Sequence, residues 1–361
     1  MNIVILSGGV GTRLWPLGRK NNPKQFFPMI SKQPLIKETY QRFVKRYGKK
    51  HIFFSVTADL LAPLRRLFPA LPREQFIVEP SRRDTAPAMG FVAAYLALRF
   101  PDEPMVFVPS DHFVGDLDSY LACFETGEKL IQETGKMIDI GIAATFPSTV
   151  LGYTKIAAPF QPKGKGPAVY HFAGHTEKPD YATALKYLSD GQYLWHGNYY
   201  MWTPAKFLGA FERYAPAMHQ TLFDIMAALK GKQTRRAAKL YETLPKISFD
   251  YAITEKIDQK DVLIIKGDFG WSDVGAWDMV FHQLRGTADN AGNVVKGNVV
   301  HVDTQNCLFL GHPKKLLATV GLKNVAIIDT PDALLVCPLE RAQEVKKLFP
   351  EIKKRGLKKH L

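Results

Sequence analysis

Leu6-Ser7-Gly8-Gly9-Val10-Gly11-Thr12-Arg13-Leu14 follows directly on the apolar run Ile3-Val4-Ile5. The run reads as a buried strand and the glycines as the turn that leaves it. Glycines let backbone N–H groups converge on phosphate oxygens with no Cβ in the way. Arg13 adds a planar, permanently charged donor fork. Two commoner phosphate loops do not fit. A Walker loop needs G-x-x-x-x-G-K-[ST], a string absent from the chain. The dinucleotide fingerprint G-x-G-x-x-G would need glycine where Leu14 stands. What remains is G-G-x-G-T-R-L followed by Pro23-Lys24-Gln25-Phe26, which brings a second cation to the same phosphates.

Working outward, short apolar runs alternate with helical patterns. Strands are expected at Asn2–Leu6, His51–Val56, Gln75–Val78, Met105–Pro109 and Met137–Gly141, and helices at Pro34–Tyr47, Thr85–Arg99 and Leu117–Glu133. This alternation predicts βαβ units, hence an α/β fold with a mainly parallel sheet. Beyond residue 150 strands are expected at Tyr153–Ala157, Ala168–Thr176, Tyr199–Thr203 and Val262–Ile265. Helices are expected at Tyr181–Ser189, Pro204–Tyr214 and Pro216–Leu229. From about Thr287 short β-like runs succeed one another, at Asn293–Val302, Cys307–Leu310, Leu316–Val320, Val325–Asp329 and Ala333–Val336. These predict a small all-β domain with a closing helix at Leu339–Phe349. The expected domains are therefore residues 1–286 and 287–361.

The net charge of +14 suits anionic partners, and the segment from Arg341 to Leu361 carries +6 of it in what reads as a solvated, frayed end. Specific nucleic-acid binding is not expected, because no helix-turn-helix, zinc-finger or aromatic RNA-binding motif is present. Cys123, Cys307 and Cys337 form no C-x-x-C pair and read as ordinary thiols. The N-terminus lacks the features of a signal peptide and no run approaches membrane-spanning length, so a cytoplasmic location without membrane contact is expected.

Taken together, several motifs resemble those of the sugar-nucleotide pyrophosphorylases, and among them the mannose-1-phosphate guanylyltransferase branch. They are Gly8 to Leu17 with Trp15-Pro16-Leu17, Pro23-Lys24-Gln25-Phe26, Glu79-Pro80 with Thr85-Ala86-Pro87-Ala88, Pro109-Ser110-Asp111-His112, Thr176-Glu177-Lys178-Pro179 and Trp271-Ser272-Asp273-Val274-Gly275. The resemblance implies a Rossmann-like, GT-A-like nucleotidyltransferase domain followed by a small left-handed β-helix-like domain. It implies GTP and mannose 1-phosphate as substrates, with GDP-mannose and pyrophosphate as products.

That chemistry is an in-line displacement at the α-phosphorus, in which positioning and charge neutralisation do most of the catalysis. Arg13 and Lys24 are the expected catalytic cations. Mg²⁺ is the expected cofactor, since a triphosphate with carboxylates suits a hard, oxygen-seeking ion. Asp111 follows an apolar strand, at the end where open α/β sheets bind ligands, and Asp273 lies in a Trp/Gly-framed turn. The resemblance implies that these two hold the metal. No zinc site is expected: His171 and His175 lie on one strand, about 13 Å apart, and H-E-x-x-H is absent. His112 reads as structural. A sugar phosphate is already ionised at neutral pH, so no general base and no covalent intermediate are expected.

The resemblance further implies nucleotide contacts from Leu6, Ser7, Gly8, Gly9, Gly11, Thr12, Arg13, Glu79, Asp84, Thr85, Ala86 and Ser110. A carboxylate at Glu79 or Asp84 can accept from the N1–H and N2–H₂ edge of guanine, and Asp84 or Thr85 can cap the following helix. Sugar-phosphate contacts are implied for Gly152, Tyr153, Glu177, Lys178 and Asn198. Other hexose 1-phosphates or bases, and a catalytically silent regulatory subunit, stay open as alternatives. A β edge in the C-terminal domain would allow a homodimer.

Overall fold

The computed structural model describes residues 1–8, 11–19, 22–161 and 165–361, so that Gly9 of the phosphate segment lies outside the described residues. The chain forms two compact units that do not follow its linear order. One comprises Met1–Gly8, Tyr40–Pro109 and Val114–Trp271; the other comprises Gly9–Thr39, Ser110–Phe113 and Ser272–Leu361.

The first unit is built on a mixed sheet of ten strands among the described residues. They are β1 (Asn2–Leu6), β2 (Ile52–Thr57), β3 (Phe76–Glu79), β4 (Met105–Pro109), β5 (Met137–Ala143), β6 (Tyr153–Phe160), β7 (Val169–Thr176), β8 (Tyr193–His196), β9 (Met201–Trp202) and β10 (Val262–Gly267). The order is β10-β7-β6-β8-β5-β9-β4-β1-β2-β3. Strands β3, β2, β1 and β4 are mutually parallel, as their nearly continuous apolar sequences require of strands covered on both faces. Ile3, Val4 and Ile5 of β1 are fully buried, each contributing about 1.5–3 kcal/mol. Beyond β4 antiparallel pairings dominate, although β10 also runs parallel to β5, so β10, β7, β6, β8 and β5 pair in a closed circuit.

The helices are α1 (Leu35–Tyr47), which belongs to this unit from Tyr40 on, then α2 (Ala58–Leu67), α3 (Thr85–Ala97), α4 (Leu117–Thr134), α5 (Tyr181–Asp190), α6 (Pro204–Tyr214), α7 (Pro216–Lys230) and α8 (Thr234–Tyr241). Helix α3 is apolar all round and buried from Ala86 through Ala94, which makes it a central element rather than an amphipathic cover. The lack of a side chain midway along it is a packing requirement: a Cβ at Gly90 would meet Leu222 of α7.

In the second unit α9 (Trp277–Leu284) precedes β11 (Val294–Lys296), β12 (Val299–Val302), β13 (Leu308–Leu310), β14 (Leu317–Val320), β15 (Val325–Asp329) and β16 (Leu334–Pro338). Successive turns of chain stack in register. Val294 lies beside Leu308 and Leu308 beside Ala326, in parallel, while Val299 lies beside Leu317 in a second ladder. This is a β-helix-like arrangement. The single run expected at Asn293–Val302 is two strands because the chain turns a corner at Gly297, whose φ of 104° and contact with the Gly311 backbone admit no side chain. The closing helix begins as a tight 3₁₀ segment, Leu339–Lys347, before α10 (Leu348–Lys354).

Leu14, at the end of the glycine-rich segment, and residues that follow it share this unit's core. Leu14, Trp15, Met29 and Leu35 pack with Val274, Trp277, Val280 and Phe281, and with Val294, Leu308, Ala342 and Val345. The indole of Trp277 donates to Trp15 O at 3.0 Å. The C-terminus is not a frayed end: Trp15 Nε1 donates to His360 O at 2.7 Å, and Asp332 receives both the Arg19 fork and His360 Nδ1. Cys123, Cys307 and Cys337 are buried and free. Among the described residues no helix is long and apolar enough to cross a membrane.

Candidate active site

Within the second unit the two expected cations have different surroundings. Gly11 has a left-handed φ of 66°, and a Cβ there would lie 2.9 Å from Lys24 Cγ. Glycine is therefore what lets the Lys24 chain pass. The buried Lys24 ammonium lies 2.9 Å from Asp111 Oδ2 and donates to the main-chain oxygens of Asp273, at 2.8 Å, and Val274, at 3.2 Å. One side chain thus draws the Asp111 carboxylate to the Asp273 turn. That turn carries strain. Val274, β-branched and fully buried, has a φ of 44°. A side chain at Gly275 would collide with the Asp273 carboxylate. Burial works upward on the Asp111 carboxyl, but Lys24 and then His112 outweigh it and hold it below the usual range. His112 is itself buried, as a structural residue should be.

Arg13 donates from Nη1 to Gln343 Oε1 at 2.8 Å, which leaves most of its five donors for other partners. Ser110 is buried, and its carbonyl accepts from Thr39 Oγ1 at 3.4 Å. Thr12 opens the short 3₁₀ turn that contains Arg13.

In the first unit Leu6 ends β1, Ser7 N donates to Ser55 O at 2.9 Å, and open space surrounds Gly8 where a side chain would be. Glu79 does not present a free carboxylate. Oε1 accepts from Ser55 Oγ at 2.5 Å and Oε2 from Tyr241 OH at 3.2 Å, and burial raises the carboxyl above its usual range. The motif suggested a base contact; β3 and α8 turn this side chain into the core instead. Asp84 caps α3 by accepting from Thr85 N at 2.7 Å, from a backbone with a φ of 68°. Thr85 Oγ1 accepts from Phe249 N at 2.8 Å and Ala86 N donates to Ile247 O at 3.1 Å, so the start of α3 is pinned to the 247–249 segment.

The residues expected to contact the sugar phosphate separate. Gly152 lies against Glu177: a Cβ there would be 2.5 Å from Oε2 and 2.9 Å from His175 Cε1. Lys178 binds the other oxygen of Glu177. Burial works upward on Glu177, but His175 and Lys178 hold it down to about 2. Tyr153 is fully buried and its hydroxyl accepts from Ser148 N at 2.8 Å, so it braces the Ser148–Tyr153 loop rather than facing a ligand. Asn198 has a left-handed φ of 57° in the turn between β8 and β9.

Around Glu177 lies a group of side chains the motifs did not reveal. His196 Nδ1 is 2.8 Å from Asp139 Oδ2, and its Nε2 is 3.4 Å from Asp250 Oδ1. His175 Nε2 is 3.5 Å from Glu177 Oε2 and 3.8 Å from Asp250 Oδ1. Tyr200 OH donates to Asp250 Oδ1 at 2.6 Å and contacts Thr254 Oγ1 at 2.7 Å. Register explains the first pair: His196 stands opposite Gly141 across β5–β8, and Asp139 is two residues from Gly141 on the same face. Burial works downward on His196, but Asp139, Asp250 and Glu177 together push it up to about 9. One further sequence signal is Asp139 itself, a lone carboxylate inside the apolar run Met137-Ile138-Asp139-Ile140.

A family profile described as nucleotidyl transferase matches residues 2–290. The chain belongs to the nucleotidyl transferase family. A second profile, described as a MannoseP isomerase/GMP-like beta-helix domain, matches residues 297–352. Among relatives of this nucleotidyl transferase, xanthan biosynthesis protein XanB of Xanthomonas campestris pv. campestris B100 is 34% identical, over 98% of this chain and 73% of its own length. Mannose-1-phosphate guanylyltransferase of Sinorhizobium fredii is 33% identical over 96% and 67%. Among solved structures, mannose-1-phosphate geranyltransferase from Thermus thermophilus superposes with a TM-score of 0.85 at 30% identity, over 98% of this chain and 99% of that one.

Proposed function

We propose that this nucleotidyl transferase catalyses transfer of GMP from GTP to mannose 1-phosphate in the cytoplasm, giving GDP-mannose and pyrophosphate. The observation that carries the reading is Lys24, whose ammonium ties the Asp111 carboxylate to the Asp273 turn directly behind a glycine-rich phosphate segment. Relatives that bear the name mannose-1-phosphate guanylyltransferase supply the choice of substrates.

In this reading Gly8, Gly11 and Thr12 present backbone N–H groups to the triphosphate; Gly9, also expected there, lies outside the described residues. Arg13 and Lys24 neutralise the charge that develops as pyrophosphate leaves. Asp111 and Asp273 fit a divalent ion of the Mg²⁺ type, because their donors are hard carboxylate oxygens and Asp111 is held ionised. Such an ion, when bound, would neutralise triphosphate charge and polarise the α-phosphate. Asp84 and the pinned start of α3 face the base. Glu177 accepts from sugar hydroxyls, Lys178 pairs with the sugar's phosphate, and Gly152 and Asn198 shape that pocket. The sugar phosphate arrives as an anion and attacks directly, so no nucleotidyl-enzyme forms. In the second unit β12 and β14, among the described residues, pair only with each other, and their outer edges would serve a homodimer.

Tyr153, with its hydroxyl already used, favours a second reading in which a different hexose 1-phosphate is the acceptor. A screen for pyrophosphate release, with four nucleoside triphosphates against several hexose 1-phosphates, separates the two. The proposal expects GTP with mannose 1-phosphate to give the highest kcat/KM. Preference for another sugar or base would replace it, and no turnover with any pair would favour a silent regulatory subunit.

A further inference from the structure

We propose that the open edge of β3 takes up an extended, acidic peptide segment of a partner protein as a further strand of the sheet. The proposal rests on the first unit alone and does not depend on the nucleotidyl-transfer substrates named above.

Strand β3 stands at the end of the strand order, and among the described residues it pairs with β2 alone. Successive residues of a strand turn their N–H and C=O groups to opposite sides. Half of the four residues Phe76–Glu79 therefore hold theirs away from β2. Such an edge binds an extended peptide through main-chain hydrogen bonds when there is room beside it. The room here is a cavity of about 790 Å³. Phe76, Ile77 and Val78 all line it. Alternate side chains of a strand point to opposite faces, so three successive residues share one cavity only where it runs along the strand's edge.

The remaining lining is apolar and held in place. Phe91 and Tyr95 of α3, with Leu98 just beyond it, are spaced by four and three residues and so share one helix face. Tyr95 OH donates to Glu74 O at 3.1 Å, which ties that face to the segment leading into β3. Ala237 and Ala238 of α8 also line the cavity, and their short side chains leave space that a longer one would fill. The turn between α7 and α8 is fixed by Lys232 N donating to Leu229 O at 3.0 Å and Gln233 N to Ala228 O at 2.8 Å.

The acidic character of the partner follows from the rim. Arg73 and Lys232 line the cavity and are exposed, and among the described residues neither side chain has an ion pair or a hydrogen bond. Lys232 has a left-handed φ of 57°, so the chain keeps an ammonium at the rim in a conformation that favours glycine. Glu74 is the one acid in the lining. The segment from Leu229 to Lys239 carries five cations and no acid. Cations beside a bare edge oppose pairing with a second copy of that edge, while an acidic strand is admitted. Phe76 and Phe91 are buried, which leaves little aromatic face on which bases could stack and disfavours a nucleic-acid strand.

The test titrates the full chain into a fluorescein-labelled hexapeptide of alternating glutamate and valine, read by fluorescence anisotropy. Saturable binding of one peptide per chain is expected, with slower amide hydrogen exchange at Phe76–Glu79. Only one edge of the peptide meets β3. N-methylation of one alternate set of its residues should therefore weaken binding about tenfold, as for loss of main-chain hydrogen bonds, and methylation of the other set should not. The double variant Arg73→Glu/Lys232→Glu should weaken it about tenfold, attraction being replaced by repulsion. Ala238→Trp, which fills the cavity, should abolish it. Far-UV circular dichroism confirms folding, and the exposed charge variant carries the test if Ala238→Trp does not fold. Absence of saturable binding, equal binding of a lysine–valine hexapeptide or of hexaglutamate, equal effects of the two methylation patterns, or full binding by folded Ala238→Trp would each overturn the proposal. Displacement of the peptide by a short oligothymidylate of equal charge would overturn it in favour of a nucleic-acid strand.

Discussion

Lys24 Nζ lies 2.9 Å from Asp111 Oδ2 while donating to the carbonyl of Asp273 at 2.8 Å. A single buried ammonium therefore serves two segments that are far apart in sequence. Lys24→Ala removes that link and leaves a carboxylate without its counter-charge. Turnover should fall at least ~10²-fold, as for loss of a preorganised transition-state donor. Stability should fall by about 3 kcal/mol, the lower end for breaking a buried pair. Arg13→Ala should match the kinetic loss with little change in Tm, since among the described residues its side chain bonds to the neutral Gln343. Steady-state kinetics and thermal unfolding check both; near-normal turnover in either variant would remove that residue from the phosphate site.

Asp111→Asn keeps the shape of the side chain but not its charge. Because Lys24 and His112 keep the native carboxyl ionised, the substitution removes a full negative charge at neutral pH. Mg²⁺-dependent turnover should be lost, and extra Mg²⁺ should recover little of it. Stripping divalent ions from the wild type should have the same effect, reversed on re-addition. A variant with an unchanged Mg²⁺ response would exclude Asp111 as a ligand.

How far the sequence carries can be judged element by element. Strands β1 and β4, and helix α6, lie where apolar runs and capping residues predicted, because local signals suffice for them. Helix α8 was not expected, since Thr-Arg-Arg-Ala-Ala-Lys-Leu-Tyr buries only Ala237 and Tyr241 and shows too narrow an apolar stripe. Strand β8 has only four residues and merges with the turn after it. The strand β1 and the glycine-rich turn that leaves it were legible because their signal is local. The histidine–carboxylate group around Glu177 was not: Asp139, His175 and His196 come from separate strands that sheet pairing brings together, and Asp250 is added by the Asp250–Thr254 turn. Glu79 shows the opposite failure, a motif residue whose oxygens are already used by Ser55 and Tyr241.

That use of Glu79 has a pH signature. Burial, the largest influence on the carboxyl, raises it above the ordinary value of 4.5, while Ser55 and Tyr241 offset only part of the rise. A carboxyl whose pKa is higher in the folded state favours folding while protonated. Its contribution is complete below about pH 4.5 and is lost as pH rises through the elevated folded value. Glu79→Gln should therefore flatten the stability profile above about pH 4.5. Urea unfolding of wild type and variant at a series of pH values measures the difference. A profile that is parallel in the two proteins would mean that Glu79 titrates normally.

Gly152 offers a probe of the sugar side that leaves every charged group in place. A methyl group there would come within 2.5 Å of Glu177 Oε2 and 2.9 Å of His175 Cε1. The ring is buried and cannot retreat, so the Glu177 carboxylate must yield, although Lys178 restrains it from the other side. A displaced acceptor loses its hydrogen bond to a sugar hydroxyl, worth about 1.5 kcal/mol for a charged acceptor. Gly152→Ala should raise KM for the sugar phosphate about tenfold, with KM for the nucleoside triphosphate unchanged. Equal rises in both constants would point to a general loosening of the first unit. An unchanged KM for the sugar phosphate would mean that Glu177 does not read the sugar, and its carboxylate would then belong wholly to the histidine group beside it.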